Sequence, residues 1–167
     1  MNRQIADIMR SAEGRYFTPE ENNTIIETAR AYERRLAIMQ RLEEKEKNIV
    51  AATVDKSFEK FPDFPQKHPQ AAEKGMRDVT LVLRYCALAM VNGDPEMLRQ
   101  KLLYWLKTIF MSMDIDTNFV RSTYETVQDL VRQEMSAEDA EEINQYVSVV
   151  IDVLCSEEQA AAAGQSN

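Results

Sequence analysis

A glycine placed among charged residues is the most chemically distinctive feature of the sequence. Residues 74–78, with the sequence KGMRD, open a predicted helix. One stripe of that helix carries Gly75, Asp78, Val82 and Tyr85. A glycine inside a helix costs about 1 kcal/mol relative to alanine, so its presence needs a reason. Two interpretations stay open: a helix start whose lysine and aspartate form an exposed ion pair, or a polar site built around Gly75.

Other residue types that often do chemistry give weaker signals. His68 is the only histidine and lies in a proline-rich segment, where we interpret it as a solvated loop residue. Cys86 and Cys155 lie on apolar helix faces and are interpreted as buried, inert thiols. The sequence contains no glycine-rich phosphate loop, paired-cysteine metal motif or nucleophile elbow. We therefore predict no catalytic residues, no metal site and no enzyme activity.

Capping signals indicate the elements that must position these residues. Thr18, Asp94 and Ser136 each precede a helix start that carries proline or acidic residues. Together with the spacing of apolar residues, they predict helices near 3–14, 19–46, 48–61, 71–91, 96–112, 117–134 and 137–155. We expect the second helix to bend or break near 31–34. The segment 61–69 contains three prolines and cannot be helical along its whole length. The predicted fold class is all-α.

Composition and charge limit the possible partners. The 167 residues fit one domain, residues 1–155, followed by a frayed and disordered tail over 156–167. A net charge of −8 disfavours binding to nucleic acid and to anionic lipid surfaces. No apolar run approaches ~18 residues, so we expect no insertion into a membrane. Two cysteines are too few for a disulfide framework and fit a cytosolic location.

Four segments spread over residues 12–155 match motifs of one protein family. They are AEGRYFTP at 12–19, ERRLAI with NIV within 33–50, RDVTLVLRYCALAMVNGD at 77–94, and MSAEDA at 135–140. The corresponding family motifs are AEARYLSP, ERRLRI with RIV, RDxxYYLRxxTYxxVAGD, and LSAEDA. The last two occur in order and at the right separation, which makes the signal specific. The chain thus resembles the phycobiliproteins, and among them the allophycocyanin α type most closely.

This resemblance implies an architecture and a set of partners. The implied fold is a globin-like helical domain preceded by an N-terminal two-helix extension, residues 1–32, that clamps a partner subunit. The partner would be a β-type phycobiliprotein subunit or a second copy of this chain, among the core components of the phycobilisome. That antenna is peripheral to the cytosolic face of the thylakoid membrane. Arg15 and Tyr16, from the matched segment, are expected to fix the partner's position by hydrogen bonding.

The resemblance also implies a pigment, because family members carry an open-chain tetrapyrrole (bilin) such as phycocyanobilin. The implied bilin-binding residues are Lys74, Gly75, Arg77, Asp78, Arg84 and Tyr85. The carboxylate of Asp78 would accept hydrogen bonds from the pyrrole N–H groups, and the three cationic side chains would bind the two propionates. Tyr104, Trp105, Phe110 and Met111 are expected to pack near the same pocket.

The sequence departs from the family at the site itself. Gly75 stands where the family has the cysteine of its KCxRD motif, so the usual thioether to the bilin cannot form. Cys86 lies about 16 Å further along the helix and cannot replace it. The segment 65–69 is shorter than the family's loop and lacks its PGGNAY motif. Thr80 replaces a second family aspartate, and the tyrosines before the LR pair are absent.

Two hypotheses of function follow. In the first, the chain is an antenna subunit that binds its bilin without a covalent bond, for excitation-energy transfer. In the second, it is a chromophore-free relative that acts in assembly, capping or turnover of the phycobilisome. Retention of Arg77, Asp78 and Arg84 favours the first hypothesis, whereas loss of the loop and of the aromatic residues favours the second. A haem-binding globin is disfavoured, because the only histidine lies in the loop.

Overall fold

The computed structural model describes residues 3–156, and these residues form helices and no β-strand. The helices are α1 Arg3–Ser11, α2 Pro19–Lys60, α3 Phe64–Lys67, α4 Ala71–Asn92, α5 Pro95–Leu98, α6 Tyr104–Ser112, α7 Thr117–Glu134 and α8 Ala137–Leu154. A π-helical turn, Arg99–Leu103, joins α5 to α6. The predicted all-α class is confirmed. Apart from Ser156, the tail predicted over 156–167 lies outside the described residues.

The helix starts follow the capping signals of the sequence. The hydroxyl of Thr18 accepts a hydrogen bond from the backbone N–H of Glu21 at 3.2 Å, and the Glu21 carboxylate accepts one from the N–H of Thr18 at 2.8 Å. The side chains of Asp94 and Ser136 accept backbone N–H groups in the first turns of α5 and α8. Asp116 caps α7 in the same way, a cap that the sequence analysis did not identify.

Helix α2 is one uninterrupted helix of 42 residues. A break near 31–34 and the gap predicted between 46 and 48 are both wrong, whereas a bend near 31–34 stays a prediction. No glycine lies in this stretch, and its proline is at the first helical position, so nothing in the backbone chemistry stops the helix. Its buried residues run from Ile38 to Ser57. The half of α2 before Ile38 therefore extends beyond the part that packs in the core.

The core forms where the second half of α2 packs against α4 and α7, while α8 packs against α4 and α7 from the other side. The largest fully buried side chains are Ile38, Leu42, Ile49, Leu83, Met90, Leu98, Leu103, Leu106 and Ile143. Gly93 ends α4 with a φ of 65°, and a Cβ there would lie 2.8 Å from Nη1 of Arg35. Within residues 3–156, no helix has the length and apolar character needed to cross a membrane.

Ion pairs between α2 and α8 fix how α2 lies along the core. The guanidinium of Arg41 donates two hydrogen bonds to the Asp139 carboxylate, at 2.7 and 3.0 Å. This contact lowers the pKa of Asp139. About two α2 turns earlier, Arg34 and Arg35 both bind the carboxylate of Glu142, at 2.7 and 2.9 Å. The bidentate geometry sets the register of α2 against α8. This register also determines where the last turns of α2 lie.

Candidate functional site

A cavity of about 150 Å³ lies between α2, α3, α4, α6 and α7. Four residues that the sequence analysis assigned to the site line it together from the first turns of α4: Lys74, Gly75, Arg77 and Asp78. Most of the remaining lining is apolar, with Val54 from α2 and Val120 from α7 as examples. An apolar cavity with a few convergent charged groups is the usual form of a ligand site.

The charged groups of α4 are incompletely paired. Nε of Arg77 donates to Oδ1 of Asp78 at 2.9 Å, and the second carboxylate oxygen of Asp78 accepts no hydrogen bond from residues 3–156. The ion pair between Lys74 and Asp78 that one interpretation of the sequence required is not formed. The half-buried Lys74 side chain has no ion-pair partner in the described part of the chain. As far as residues 3–156 show, the cavity therefore keeps one free acceptor and one free cation.

Packing does not require a glycine at Gly75. A Cβ built at this position would contact only the methyl groups of Val54, the nearest at 3.5 Å, which is an ordinary van der Waals distance. The backbone of Gly75 is helical, so no unusual dihedral angle requires glycine either. A larger side chain at this position would point at the α2 wall of the cavity. The space beside Gly75 is thus available to a ligand or to a longer side chain.

The structure does not bring Arg84 and Tyr85 to the cavity. The Arg84 guanidinium donates two hydrogen bonds to the Glu46 carboxylate on α2, at 2.8 and 2.7 Å. This pairing raises the pKa of Arg84. Tyr85 is half-buried and packs against the core. Two turns of α4 separate these residues from Asp78, and both lie outside the cavity lining.

Aromatic side chains form one wall of the cavity. The rings of Phe64 on α3 and Phe119 on α7 stack face to face, with centroids 3.6 Å apart and planes 7° apart. The ring of His68 lies 4.4 Å from that of Phe64 and lines the cavity as well. His68 lies in the loop after α3, as interpreted, but it is half-buried against Phe64 rather than solvated, because α3 brings this segment to the cavity.

The α6 residues that were expected near the pocket mostly lie elsewhere. Phe110 lines the cavity, in agreement with the expectation. Tyr104, Trp105 and Met111 are exposed and do not line it, so the expectation is wrong for these three. The π-helical turn before α6 and the helix itself bury Leu102, Leu103 and Leu106 instead, which turns the aromatic face outward.

Tyr124 on α7 is a cavity residue that the sequence analysis missed. Its side chain is 3% exposed and lines the cavity. Burial raises the pKa of Tyr124, and the nearby carboxylate of Asp78 raises it further. In the described part of the chain, no group forms a hydrogen bond with the Tyr124 hydroxyl. The neighbouring hydroxyls of Ser57 and Thr123 lie 3.1 Å apart, and each can donate its proton to a backbone carbonyl of its own helix.

The two cysteines are packing groups rather than attachment sites. Cys86 is fully buried, and burial raises the pKa of its thiol. This confirms the interpretation of Cys86 as a buried thiol. Cys155 is half-buried, and burial raises its pKa too. Neither sulfur lines the cavity, so neither presents a thiolate to a ligand there. Among residues 3–156, no cluster of metal-ligating side chains is present.

A bilin, the group that the resemblance implies, fits the donor set of this cavity. Asp78 offers an acceptor for N–H groups, Lys74 and Arg77 offer cations for carboxylates, and the aromatic wall offers a flat apolar surface. The cavity volume of about 150 Å³ is small for a bilin, since pockets for ligands of this class measure about 300–1,000 Å³. Separation of the Phe64 and Phe119 rings would enlarge the cavity at its aromatic side.

The connection between α1 and α2 contains the residues expected at a partner interface. Arg15 binds the Glu21 carboxylate through both terminal nitrogens at 2.8 Å, which lowers the pKa of Glu21 to about 2. Arg15 also donates to the backbone oxygen of Tyr16 at 2.9 Å. The Tyr16 side chain itself is 98% exposed, and Met9 and Ile26 are about half exposed on the adjoining helices.

Comparisons with known proteins identify one family that matches most of the chain. A family model described as "Phycobilisome protein" matches residues 9–154. The chain is 30% identical over 145 residues to the allophycocyanin alpha chain of Thermosynechococcus vestitus, covering 84% of this chain and 90% of that one. It is 28% identical over 148 residues to the allophycocyanin alpha chain of Cyanophora paradoxa, covering 86% of this chain and 92% of that one.

Proposed function

The chain belongs to the phycobilisome protein family as a divergent allophycocyanin-like member, and we propose that it is a light-harvesting subunit that binds an open-chain tetrapyrrole without a covalent bond. The observation that carries this proposal is the convergence of Lys74, Arg77 and Asp78 on one apolar cavity in which their pairing is incomplete. The Lys74 ammonium and the second carboxylate oxygen of Asp78, which no residue within 3–156 pairs, are available to the polar groups of a ligand.

Each α4 side chain has a role suited to its chemistry. The free carboxylate oxygen of Asp78 accepts pyrrole N–H groups, because an ionised carboxylate is the strongest acceptor that a side chain offers. Lys74 and Arg77 neutralise the propionates. Glycine at position 75 leaves the ligand's first ring unbonded, with room next to Val54. When bound, the bilin supplies visible absorption and excitation-energy transfer.

A non-covalent bilin has a spectroscopic signature. Thioether formation saturates the carbon next to ring A, and a bilin that keeps this double bond has a longer conjugated system. We therefore expect absorption further to the red than that of a covalently attached bilin in the same fold. The aromatic wall of Phe64 and Phe119 would hold such a flat chromophore in an extended conformation.

One observation favours the alternative of a chromophore-free relative acting in assembly, capping or turnover. The Phe64–Phe119 stack closes the cavity to about 150 Å³, so aromatic side chains occupy space that a bilin needs. A protein that had lost its pigment would fill the pocket in this way to avoid a void. Under this alternative, Phe64 is a permanent core residue rather than a wall that moves.

The partner in either case would dock on α1 and the first half of α2. We propose a β-type phycobiliprotein subunit or a second copy of this chain, within the phycobilisome core on the cytosolic face of the thylakoid membrane. Support comes from the exposed Met9, Tyr16 and Ile26 side chains on a helical pair whose α2 segment buries nothing before Ile38. A stable monomer in sedimentation at micromolar concentration, alone and with β-type subunits, would contradict this interface.

The deciding experiment is purification from cells that make phycocyanobilin, followed by absorbance and a denaturing gel. We expect a coloured native protein whose colour leaves the polypeptide on denaturation. Protein from cells without bilin synthesis is the control for absorbance of other origin. A colourless protein from the bilin-producing cells would reject pigment binding and support the chromophore-free alternative. Colour that stays on the denatured polypeptide would reject the non-covalent mode.

A further inference from the structure

We infer that the Tyr124 hydroxyl is a second polar anchor of the cavity, which donates a hydrogen bond to a lactam carbonyl oxygen of the ligand whose N–H groups Asp78 accepts. This inference rests on the proposed function, because it assigns a second contact to the same bilin. It identifies Tyr124 as a positioning residue for the pigment, on α7 rather than on the α4 motif.

The first support is the state of the hydroxyl. Tyr124 is 97% buried and lines the cavity. None of the described residues, 3–156, forms a hydrogen bond with its hydroxyl oxygen. The hydroxyl oxygen is accessible from the cavity rather than sealed in the core, so a group in the cavity can form the hydrogen bond that the protein leaves unmade. The unfilled bond therefore points to a group that enters the cavity.

The second support is that the nearby buried hydroxyls behave differently. Thr53, Ser57 and Thr123 each donate to a backbone carbonyl in the preceding turn, at 2.7 to 2.8 Å. Their hydrogen-bonding needs are met within α2 and α7. Tyr124 is the exception in this layer, and its long side chain carries the hydroxyl too far from its own helix to bond a carbonyl there.

The third support is chemical complementarity with Asp78. Asp78 and Tyr124 both line the cavity; burial raises the pKa of the Tyr124 hydroxyl, and the Asp78 carboxylate raises it further. A carboxylate can only accept, and a neutral phenol is a good donor. Lys74 and Arg77 already serve anionic groups, so the phenol suits a neutral acceptor. A bilin carries both kinds of group, with N–H donors in its pyrrole rings and a lactam carbonyl at each end.

The test is Tyr124→Phe, which removes the hydroxyl and keeps the ring. We expect phycocyanobilin to bind about tenfold more weakly, the usual effect of losing one buried hydrogen bond to a ligand. Resonance Raman of the bound pigment should show a lactam carbonyl stretch at higher frequency. The ligand-free variant should melt at or above the wild-type temperature, because no protein hydrogen bond is lost. The matched control is Tyr146→Phe, since Tyr146 is a buried tyrosine on α8 outside the cavity.

The outcomes separate this inference from the proposed function. Equal affinity and an unchanged carbonyl stretch in wild type and Tyr124→Phe would overturn the inference and leave pigment binding intact. An equal loss of affinity in Tyr146→Phe would also overturn it, because the effect would not be specific to the cavity. A lowered melting temperature of ligand-free Tyr124→Phe would show a protein partner for the hydroxyl and overturn it as well. A wild type that binds no phycocyanobilin would overturn both.

Discussion

The pigment site predicted on α4 has two ends, one at Lys74–Asp78 and one at Arg84, which differ in how completely their charged side chains are paired. At the start of the helix, Asp78 keeps a free carboxylate oxygen and Lys74 has no ion-pair partner within residues 3–156, next to a cavity. Two turns later, Arg84 forms a bidentate ion pair with Glu46 and lies away from the cavity. The family resemblance alone placed both ends in one pigment site.

This difference shows what separates a ligand site from a structural ion pair on the same helix. A charged group whose hydrogen bonds are all made by the protein gains little from a ligand, since binding must first break them. A group left partly unpaired at a cavity gives up only its hydration when a ligand arrives. Completeness of pairing, rather than position on a helical stripe, therefore distinguishes the Asp78 end from the Arg84 end.

Removal of Asp78 should have the largest effect. In Asp78→Ala, the bilin's N–H groups stay buried without an acceptor, and each lost charge-assisted bond is worth about 1.5–3 kcal/mol. We expect at least about hundredfold weaker binding of phycocyanobilin and a blue shift of any remaining pigment, measured by absorbance titration. Asp55→Ala on exposed α2 surface is the control. Equal bilin content and an identical spectrum in wild type and Asp78→Ala would remove the distinction between the two ends.

A cysteine placed at position 75, beside the cavity, should change how the pigment is attached to the polypeptide. Gly75→Cys places its Cβ 3.5 Å from Val54, so the side chain fits without displacing α2. We expect part of the pigment to stay on the polypeptide in a denaturing gel viewed by bilin fluorescence. Met76→Cys, one position along on the exposed side of α4, should give no such band. Equal bands from both variants would mean that any accessible thiol reacts.

Substitution of Arg84, whose hydrogen bonds are made by Glu46, should have only a weak effect on pigment binding. Arg84→Gln breaks the contact with Glu46, and we expect a slightly lower melting temperature with a change in phycocyanobilin affinity of less than about threefold. Thermal unfolding and absorbance titration measure the two effects separately. A tenfold loss of affinity would place Arg84 at the pigment, as the family resemblance implied, and would show that the ion pair opens on binding.

The ion pair between Arg15 and Glu21 is a second pair whose hydrogen bonds are made within the protein. Its loss should have the smallest effect, and that effect should appear in a defined pH range. Arg15 lowers the pKa of Glu21 from an ordinary value of 4.5 to about 2. An acid with a lowered pKa stabilises the folded state fully above its unfolded pKa, and this stabilisation disappears as the pH falls towards 2. Amide hydrogen exchange in the first turn of α2 should therefore accelerate as the pH falls below about 4.5, beyond the intrinsic rate. Glu21→Gln should show no such acceleration, and a parallel response in both proteins would contradict the assignment.

The sequence was sufficient for the features that depend on local chemistry. Thr18, Asp94 and Ser136 predicted three helix starts, because a cap acts on backbone groups within its own turn. The family motif predicted the Lys74 to Asp78 end of the site for a related reason, since four residues on adjacent turns of one helix must lie together. Their placement at a cavity needed the rest of the fold.

Features that depend on contacts between distant parts of the chain could not be predicted from local sequence patterns. The partial burial of His68 was missed because its position depends on the stacking of Phe64 with Phe119, more than fifty residues later in the chain. Tyr124 carried one overlooked signal: it interrupts a stripe of buried valines on α7 with a residue whose hydroxyl needs a partner. The continuity of α2 could have been inferred from the absence of helix breakers after Pro19.

The length of α2 gives the molecule a mechanical property. Ile26 on the exposed half and Val54 at the cavity are about 42 Å apart on one helix, with no glycine or proline between them. Because the helix is continuous, a subunit that docked on the first half and tilted it would also move one wall of the cavity. Thermodynamic linkage would make such a coupling reciprocal: docking would tighten pigment binding by the same factor by which pigment would tighten docking.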